Sequence, residues 1–337
     1  MHWIERHWQS ITPVSALLYP LSLLYAGVTS LRRATTTPAR LPVPVIVVGN
    51  VTVGGTGKTP LTLWLAEMLR RRGWTPGIVC RGYGGTERGP RAVRPDSDPA
   101  SCGDEAVLLA RRGDCEVWAG ADRVAAARSL LAAQPACDVV LSDDGMQHYA
   151  LARDLEICVV DAGRGFGNGW LLPAGPLREP PARLATVGAV VLNGAVQHSS
   201  IALIPPQTAR FTLRLEGREF RNLLNPGRFA GAESFHGKRV RAVAGIGDPQ
   251  RFFRHLQALG LEFTAHSFPD HHPFTASDVE FAGADAVLMT EKDAVKCRRF
   301  ASELHWALPV DAVPDPGLAD LVLRKLENLN GTADKRR

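Results

Sequence analysis

The first two thirds of the chain contain five short apolar runs that are rich in β-branched residues and lack regular polar alternation. These runs lie at residues 43–50, 75–82, 137–144, 155–163 and 187–194. Such runs are typical of parallel strands that helices cover on both faces. Helical patterns separate them; residues 60–72, for example, begin with Pro60, end before Gly73 and place Leu61 and Leu65 on one face. The pattern predicts an α/β fold built on a doubly wound, mostly parallel sheet.

An uncharged stretch at residues 11–31 precedes these strands and is followed at once by Arg32 and Arg33. Its 21 residues are long enough to cross a bilayer. Two prolines and several hydroxyl residues argue against spanning, whereas four aromatic side chains before and within the stretch suit a membrane interface; they are Trp3, Trp8, Tyr19 and Tyr25. We therefore expect a membrane-associated helix at the N-terminus, of undecided depth. The alternative is a helix packed into the body of the protein.

A second, smaller α/β unit follows residues 211–217, which we predict to be a linking strand. Its predicted strands and helix lie at residues 240–249, 250–259, 284–293 and 304–310, without a second glycine-rich loop. The sequence thus predicts an N-terminal helical segment, a first domain, a smaller second domain that includes the linking strands, and a disordered polar tail. Their bounds are residues 1–35, 36–210, 211–327 and 328–337.

Composition narrows the classes of protein that fit this pattern. A chain of 337 residues suits two domains, and 45% hydrophobic with 22% charged residues excludes collagen, coiled coil and wholesale disorder. Six cysteines without a CxxC pair give neither a zinc pattern nor a disulfide framework, which fits a reducing cytosol. A net charge of +5 would suit anionic lipid, a phosphorylated substrate or nucleic acid, and charge alone does not choose among them.

Residues 49–60 read GNVTVGGTGKTP and stand where a predicted strand ends and a helix begins. A phosphate-binding loop needs glycines that let backbone N–H groups converge on an anion, a lysine for the outer phosphates and a hydroxyl for Mg²⁺. The chain supplies all of these, although Thr52 stands where the strict pattern has glycine. We expect the nucleotide phosphates to contact Thr52, Val53, Gly54, Gly55, Thr56, Gly57, Lys58 and Thr59.

A second motif, VVLSDD at residues 139–144, is an apolar strand that ends in two acids and is followed by GMQH. Acids at the carboxyl end of a parallel strand beside a phosphate loop are placed to hold a metal ion or its waters. Asp143 and Asp144 are therefore predicted to hold Mg²⁺ together with Thr59. Without the phosphate loop upstream, a solvated turn would explain them better.

Phosphoryl transfer also needs a group that takes the proton of the acceptor hydroxyl, and the sequence offers few candidates. Asp104 lies in SCGDE at a loop-to-helix junction, where a helix N-cap is the structural alternative. Asp270, His271 and His272 lie in FPDHHPF in the second unit. A histidine beside an aspartate suits proton handling, whereas a two-histidine metal site is disfavoured because adjacent strand residues point to opposite faces.

Eight motifs in a fixed order run along almost the whole chain. They are GNVTVGGTGKTP at 49–60, RGYGG at 81–85, GDE at 103–105, ADR at 121–123, SDDGMQH at 142–148, GNGWLLPAGPLREP at 167–180, FPDHH at 268–272 and TEKD at 290–293. Together they resemble the tetraacyldisaccharide 4'-kinase family, which shares the departure at Thr52. The resemblance implies a P-loop enzyme of lipid A biosynthesis that uses ATP and Mg²⁺. It implies transfer of the γ-phosphate to the 4'-hydroxyl of a tetraacylated disaccharide 1-phosphate, giving lipid IVA.

The resemblance also implies site residues and a location. It places the phosphate-loop lysine and threonine at Lys58 and Thr59, and the proposed base at Asp104 with His271 as its partner. It further implies metal-binding or nucleotide- and substrate-contacting roles for Asp143, Asp144, Gln147, Arg178 and Glu179 and, more loosely, for Tyr83 and Arg123. The implied location is the cytoplasmic face of a Gram-negative inner membrane, with inner-membrane lipid as a partner and neither nucleic acid nor an obligate protein partner.

Because Lys58 belongs to the first unit and His271 to the second, we expect the site to lie between the units and to close when ATP binds. Two alternatives keep the phosphate loop but change the function. One is a membrane-associated ATPase switch of the partitioning type, which usually carries a lysine where this chain has Val53. The other is a non-catalytic nucleotide sensor, which would have no need of Asp104 or His271.

Overall fold

Two β-sheets form the framework of residues 3–334, which are the residues that the computed structural model describes. The strands are β1 (Val45–Gly49), β2 (Pro76–Cys80), β3 (Arg91–Val93), β4 (Val117–Ala119), β5 (Val139–Asp143), β6 (Leu155–Asp161), β7 (Ala189–Asn193), β8 (Arg210–Glu216), β9 (Glu219–Asn222), β10 (Phe229–Gly231), β11 (Val240–Ala244), β12 (Thr264–Ser267), β13 (Ala286–Thr290), β14 (His305–Leu308) and β15 (Asp311–Pro314).

The α-helices lie mainly between these strands and cover the sheets. They are α1 (Pro13–Thr35), α2 (Lys58–Arg71), α3 (Pro99–Cys102), α4 (Asp104–Arg112), α5 (Arg123–Ala133), α6 (Pro249–Ala258), α7 (Ala276–Val279), α8 (Glu291–Cys297) and α9 (Gly317–Asp334). Short 3-10 helices lie at Trp3–His7, Pro181–Thr186, Ser199–Leu203, Ala232–Phe235 and Arg298–Phe300.

The larger sheet has the order β15-β8-β7-β6-β1-β5-β2-β4-β3 and is parallel except at its two edge strands. Every residue of β1, β2, β5 and β7 is buried, as continuous apolar runs require. The predicted α/β class and all five predicted strands are confirmed. In the register of β1 and β5, Val48 lies opposite Asp143, so the loop after β1 adjoins the acids that end β5.

The smaller sheet has the order β10-β9-β14-β13-β11-β12, with parallel pairing from β14 to β12 and antiparallel pairing at β9 and β10. Helix α6 covers it on the side of a core that contains Phe220, Phe235 and Trp306. The strands and the helix that the sequence predicts in this unit are present. The second unit is therefore also an α/β unit, built on a mostly parallel sheet.

The division of strands between the sheets differs from the sequence prediction. The sequence predicts that residues 211–217 link the units, but β8 pairs in parallel with β7, and β15 returns from the second unit to pair with β8. Helix α9 then buries Leu318, Val322 and Leu326 in the core of the first sheet. The first unit therefore includes both ends of the segment predicted at 211–327. A short strand does not reveal its pairing partner in its local pattern, which explains this error.

The structure of the C-terminal segment also differs from the sequence prediction of a disordered tail. Helix α9 continues to Asp334, so the part of the predicted polar tail at residues 328–334 is helical. The last residues of the predicted tail, 335–337, lie outside the described residues.

Helix α1 has an inverted distribution of polar and apolar side chains. Thr12 forms a capping box at its start, and its buried side chains are Ser15 and Ser22. In contrast, Leu17 is 79% exposed and Leu24 is 67% exposed. Within the described residues, this helix alone is long and apolar enough to cross a membrane by length and composition. The alternative of an apolar helix packed into the body therefore does not hold, because the apolar face points outward.

Candidate active site

The phosphate loop joins β1 to the N-terminus of α2, which begins at Lys58. Gly54 and Gly57 have φ values of 96° and 98°, a region that favours glycine. A Cβ atom on Gly57 would lie 2.5 Å from Asn193 Nδ2, so glycine is also required sterically. Asn193 Nδ2 in turn donates to the carbonyl oxygen of Thr56 over 2.8 Å. The helix N-terminus and a loop held from behind together make a binding site for phosphate.

Two hydroxyl groups of α2 hold the carboxylate at the end of β5. Thr59 Oγ1 donates to Asp143 Oδ2 over 3.1 Å, and Thr62 Oγ1 donates to Asp143 Oδ1 over 2.9 Å. Lys58 Nζ lies 3.5 Å from Asp144 Oδ1. The structure thus brings together the lysine, the hydroxyl and the two acids that the sequence singles out.

The two acids differ in their electrostatic environment. Burial, followed by repulsion from Glu105, raises the pKa of Asp143 to about 7. Burial also acts to raise the pKa of Asp144, but the charges of Lys58 and Arg178 outweigh it and hold that pKa below its usual value. A buried carboxylate repelled by neighbouring acids is an environment that a cation would stabilise, so these residues fit Mg²⁺.

Magnesium would take only part of its coordination shell from the protein. Within residues 3–334, no three His, Cys, Asp or Glu side chains come together as metal ligands. Mg²⁺ commonly binds one or two carboxylates together with nucleotide phosphates and water, which suits Thr59, Asp143 and Asp144. His271 and His272 have different partners, since His271 contacts Asp104, whereas His272 stacks on Phe268 and contacts Asp278.

The acid and the histidine predicted to handle the proton come from different units and are in contact. Asp104 Oδ2 lies 3.1 Å from His271 Nδ1, although 167 residues separate them. Asp104 is 5% exposed and is the first residue of α4. The structural alternative, a helix N-cap, would also place it near this helix start. Asp104 does not act as the cap itself, because Gly103 occupies that position. The ring of Tyr83 lies 4.7 Å from that of His271, centroid to centroid.

The second unit also reaches the phosphate loop. A Cβ atom on Gly247 would lie 3.3 Å from the backbone nitrogen of Gly55 and 3.4 Å from Asp270 Oδ2. One backbone position thus borders both the phosphate loop and the loop that carries His271. The phosphate loop and the contact between Asp104 and His271 therefore both lie where the two units meet, which we call the cleft.

Backbone strain coincides with this cleft. In the described part of the chain, positive φ occurs at three residues other than glycine, namely Asp114, Asp144 and His271. Two of the three are candidate site residues. Such conformations cost about 1–3 kcal/mol and persist where the surrounding structure enforces them, often at functional sites.

Comparison with known proteins bears on what this cleft does. The family model for tetraacyldisaccharide-1-P 4'-kinase matches residues 14–327. The chain belongs to this family. Proteins named tetraacyldisaccharide 4'-kinase are 51% identical in Dechloromonas aromatica, covering 96% of this chain and 97% of the relative, and 50% identical in Azoarcus sp., covering 96% and 95%.

A solved structure of this kinase family gives the same fold. It is LpxK from Aquifex aeolicus in complex with ATP, with 28% sequence identity and a TM-score of 0.76 over 93% of this chain and 99% of that one. The partitioning-type ATPase alternative is not favoured by any of these matches.

The remaining predicted residues of this family member lie beside the phosphate loop. Gln147 Nε2 donates to the carbonyl oxygen of Asn50 over 3.0 Å and to Glu179 Oε1 over 2.7 Å. Arg178 lies 3.3 Å from Asp144 Oδ1. Substrate contact by Arg178 and Glu179 stays a prediction.

Two further predicted substrate residues differ in exposure. Arg123 is 5% exposed and donates to the carbonyl oxygen of Asp144 over 3.4 Å, which supports the strained backbone there. Tyr83 is 55% exposed at the cleft. Their roles toward substrate also stay predictions.

Sequence reasoning missed a polar network behind the phosphate loop. Arg164 donates to the carbonyl oxygen of Gly55 over 2.7 Å, and Arg251 of α6 donates to Asn193 Oδ1 over 2.7 Å. Both arginines also pair with Asp161 Oδ2. A signal was available, because Asp161 and Asn193 end β6 and β7 at the edge of the sheet where ligands of such folds bind.

Proposed function

We propose that this chain transfers the γ-phosphate of ATP to the 4'-hydroxyl of tetraacyldisaccharide 1-phosphate and so forms lipid IVA in lipid A biosynthesis. Membership in the kinase family and the names of relatives at about half identity support this activity. The observation that carries the mechanism is the contact between Asp104 of the first unit and His271 of the second, beside the phosphate loop.

The first unit binds and neutralises the phosphates. Backbone N–H groups at the start of α2 and the Lys58 ammonium face the site where the outer phosphates would lie. Thr59, Asp143 and Asp144 would hold Mg²⁺, which when bound neutralises charge on the phosphate oxygens. Lys58 exchanges its partner Asp144 for the γ-phosphate as ATP enters.

Asp104 is the proposed proton acceptor. Burial acts to raise its pKa, but the hydrogen bond with His271 and the charges of Lys292 and Lys296 keep that pKa below its usual value. Asp104 is therefore ionised at neutral pH. As the 4'-oxygen bonds to the γ-phosphorus, its proton passes to Asp104 and the bond between the γ-phosphorus and the bridging oxygen breaks, leaving ADP.

Helix α1 is the proposed membrane contact, at the cytoplasmic face of the inner membrane. Its outward face carries exposed Leu17, Leu24 and Val28, and Arg32 and Arg33 follow at its C-terminal end. Apolar side chains flanked by basic ones suit an anionic bilayer surface. An acceptor with four acyl chains would reach the cleft from that bilayer.

The activity is tested with the full chain, ATP, Mg²⁺ and purified tetraacyldisaccharide 1-phosphate in detergent. We expect the glycolipid to gain the mass of one phosphate. Asp104→Asn should lower kcat by about 100-fold or more while the Kd for ATP stays within about twofold, since loss of a positioned base costs 10²–10⁴. Asp96→Asn, at an exposed site, is the control. Unchanged glycolipid mass, or equal losses of ATP binding and rate in Asp104→Asn, contradicts the proposal.

Membrane association is tested separately by flotation with vesicles that contain phosphatidylglycerol. Leu24→Asp should reduce the bound fraction severalfold without lowering thermal stability, because Leu24 is 67% exposed. Val196→Asp replaces an apolar residue that is 58% exposed outside α1 and serves as the control. Equal losses in both variants would argue against α1 as the contact.

A further inference from the structure

Lys292 belongs to the TEKD motif at residues 290–293 and lies against the imidazole of His271. Its Nζ atom is 3.4 Å from His271 Nε2, 3.0 Å from Glu105 Oε1 and 3.2 Å from Asp270 Oδ1. The Lys292 side chain is 15% exposed. The ammonium thus contacts the ring nitrogen that faces away from Asp104.

An ammonium group has three donors and no acceptor, whereas a neutral imidazole has one donor and one acceptor nitrogen. Nε2 can pair with Lys292 only through its lone pair. The ring proton must then be on Nδ1, where it is donated to Asp104 Oδ2 over 3.1 Å. An imidazolium would place two donors against each other at Nε2.

From this geometry we infer that Lys292 is a positioning residue that fixes the tautomer of His271, so that Nδ1–H points at Asp104. The inference rests on the proposed function, in which Asp104 takes the proton of the acceptor. In this tautomer the hydrogen bond stabilises the ionised carboxylate, which is the state that can accept a proton. The opposite tautomer would present a lone pair to the carboxylate and repel it.

Asp270 does not favour the opposite tautomer of His271, in which the ring proton is on Nε2. Asp270 Oδ2 lies 3.8 Å from His271 Nε2, which is outside hydrogen-bond distance. The other oxygen, Oδ1, already accepts from Lys292 and from the backbone N–H of His271 over 3.0 Å. Asp270 therefore helps to hold the ammonium in place rather than drawing a proton to Nε2.

Lys292 remains charged in this position. Burial acts to lower its pKa, but Glu105, Asp104 and Asp270 outweigh it and raise that pKa above the usual value. Several ionisable groups surround Asp104 and His271. They are Tyr83 and Glu105 from the first unit, and Asp270, Lys292 and Lys296 from the second. Three acids, counting Asp104, and two ammonium groups share this small volume.

The other three residues of the motif hold α8 in place, so the backbone position from which Lys292 extends is fixed. Thr290 Oγ1 accepts from the backbone N–H of Asp293, and Asp293 Oδ2 accepts from that of Gly245. Glu291 pairs with Arg112 of α4 over 2.7 Å. Because Glu291 already joins α8 to α4, a role of Lys292 as a mere tie between the units would be redundant.

The tautomer is measured on the full chain labelled with ¹⁵N-histidine, by long-range ¹H–¹⁵N correlation at pH 8. His271→Asn identifies the resonances of His271 among the ten histidines. We expect the Nδ1–H tautomer in the wild type and in Lys292→Arg, which keeps a donor-only cation. Lys292→Met should show a mixture or the Nε2–H form. Lys325→Met, at an exposed position of α9, should match the wild type.

Kinetics provide the second readout. Lys292→Met should lower kcat about tenfold with KM for ATP within about twofold, and Lys292→Arg should recover most of the loss. An Nε2–H tautomer or an imidazolium in the wild type overturns the inference even if Lys292→Met fails to fold, as does an unchanged tautomer in Lys292→Met. A wild-type rate in Asp104→Asn would instead remove the base from the proposed function and leave the tautomer assignment intact.

Discussion

The hydroxyl of Ser22 donates a hydrogen bond to the carbonyl oxygen of Leu171 over 2.8 Å. The same hydroxyl accepts one from the backbone N–H of Ala174 over 3.1 Å. Pro176, two residues after Ala174, accepts a hydrogen bond at its carbonyl oxygen from the backbone N–H of Val53 over 2.9 Å. The helix with the exposed apolar face is therefore attached to the same segment that pairs with the phosphate loop.

We predict that Ser22→Ala raises KM for the lipid acceptor in vesicles about fivefold and leaves KM for ATP nearly unchanged. Loss of the hydroxyl leaves the buried backbone N–H of Ala174 unpaired, at a cost of about 1–3 kcal/mol, whereas the carbonyl oxygen of Leu171 still accepts from the N–H of Gly175. The attachment of α1 to this segment should therefore weaken. Steady-state kinetics with each substrate varied provide the check. Ser30→Ala makes the same change at an exposed position of α1 and should have no effect. Equal behaviour of the two variants would contradict the prediction.

A second prediction concerns the phosphate-loop lysine. Lys58→Met should lower kcat by about 10²–10³, because the ammonium stabilises charge that develops on the transferred phosphoryl group. It should also raise the pKa of Asp144, which Lys58 helps to hold below its usual value. Single-turnover transfer at saturating ATP checks the rate, with Lys325→Met as the control. A loss confined to KM for ATP would mean that Lys58 contributes ground-state binding alone.

The features that the sequence predicts correctly are those with a local cause. The strand β1, the loop after it and the start of α2 are each specified by adjacent residues, including Gly57 and Lys58. The acids at the end of β5 follow from the same logic, because parallel strands bring their carboxyl ends together. The contact between Asp104 and His271 is different, since only the resemblance to a family paired them.

The features that the sequence does not predict depend on distant partners. Nothing local in β15 shows that Val313 lies opposite Arg214 of β8, and the apolar face of α9 would suit either unit. Arg251 reads as one of several basic residues on a surface helix. Its contact with Asn193 depends on how the second unit is placed, which no local pattern specifies.

We predict a specific role for Arg251 in ATP binding. Arg251→Ala should raise the Kd for ATP about tenfold, because Asn193, which holds the carbonyl oxygen of Thr56, loses its own partner. Arg254→Ala lies one turn along α6 at a position whose side chain is 66% exposed, and is the matched control. Isothermal titration with a non-hydrolysable ATP analogue gives the Kd. An unchanged Kd in Arg251→Ala would show that the phosphate loop keeps its shape without this support.

The acid at the end of β5 gives a prediction about stability and pH. Because the pKa of Asp143 is raised to about 7 in the folded state, its ionisation destabilises the fold without Mg²⁺. The stability that its protonated form contributes is complete below the unfolded pKa near 3.8 and is lost as pH rises through about 7. Asp143→Asn cannot ionise, so in EDTA it should gain about 2–3 kcal/mol over the wild type between pH 5 and pH 8. Thermal or urea unfolding of both proteins at each pH measures this difference, in which the other titrating groups largely cancel. A difference that does not change with pH would mean that Asp143 stays ionised in the fold, and that the acids around it do not create the need for a cation.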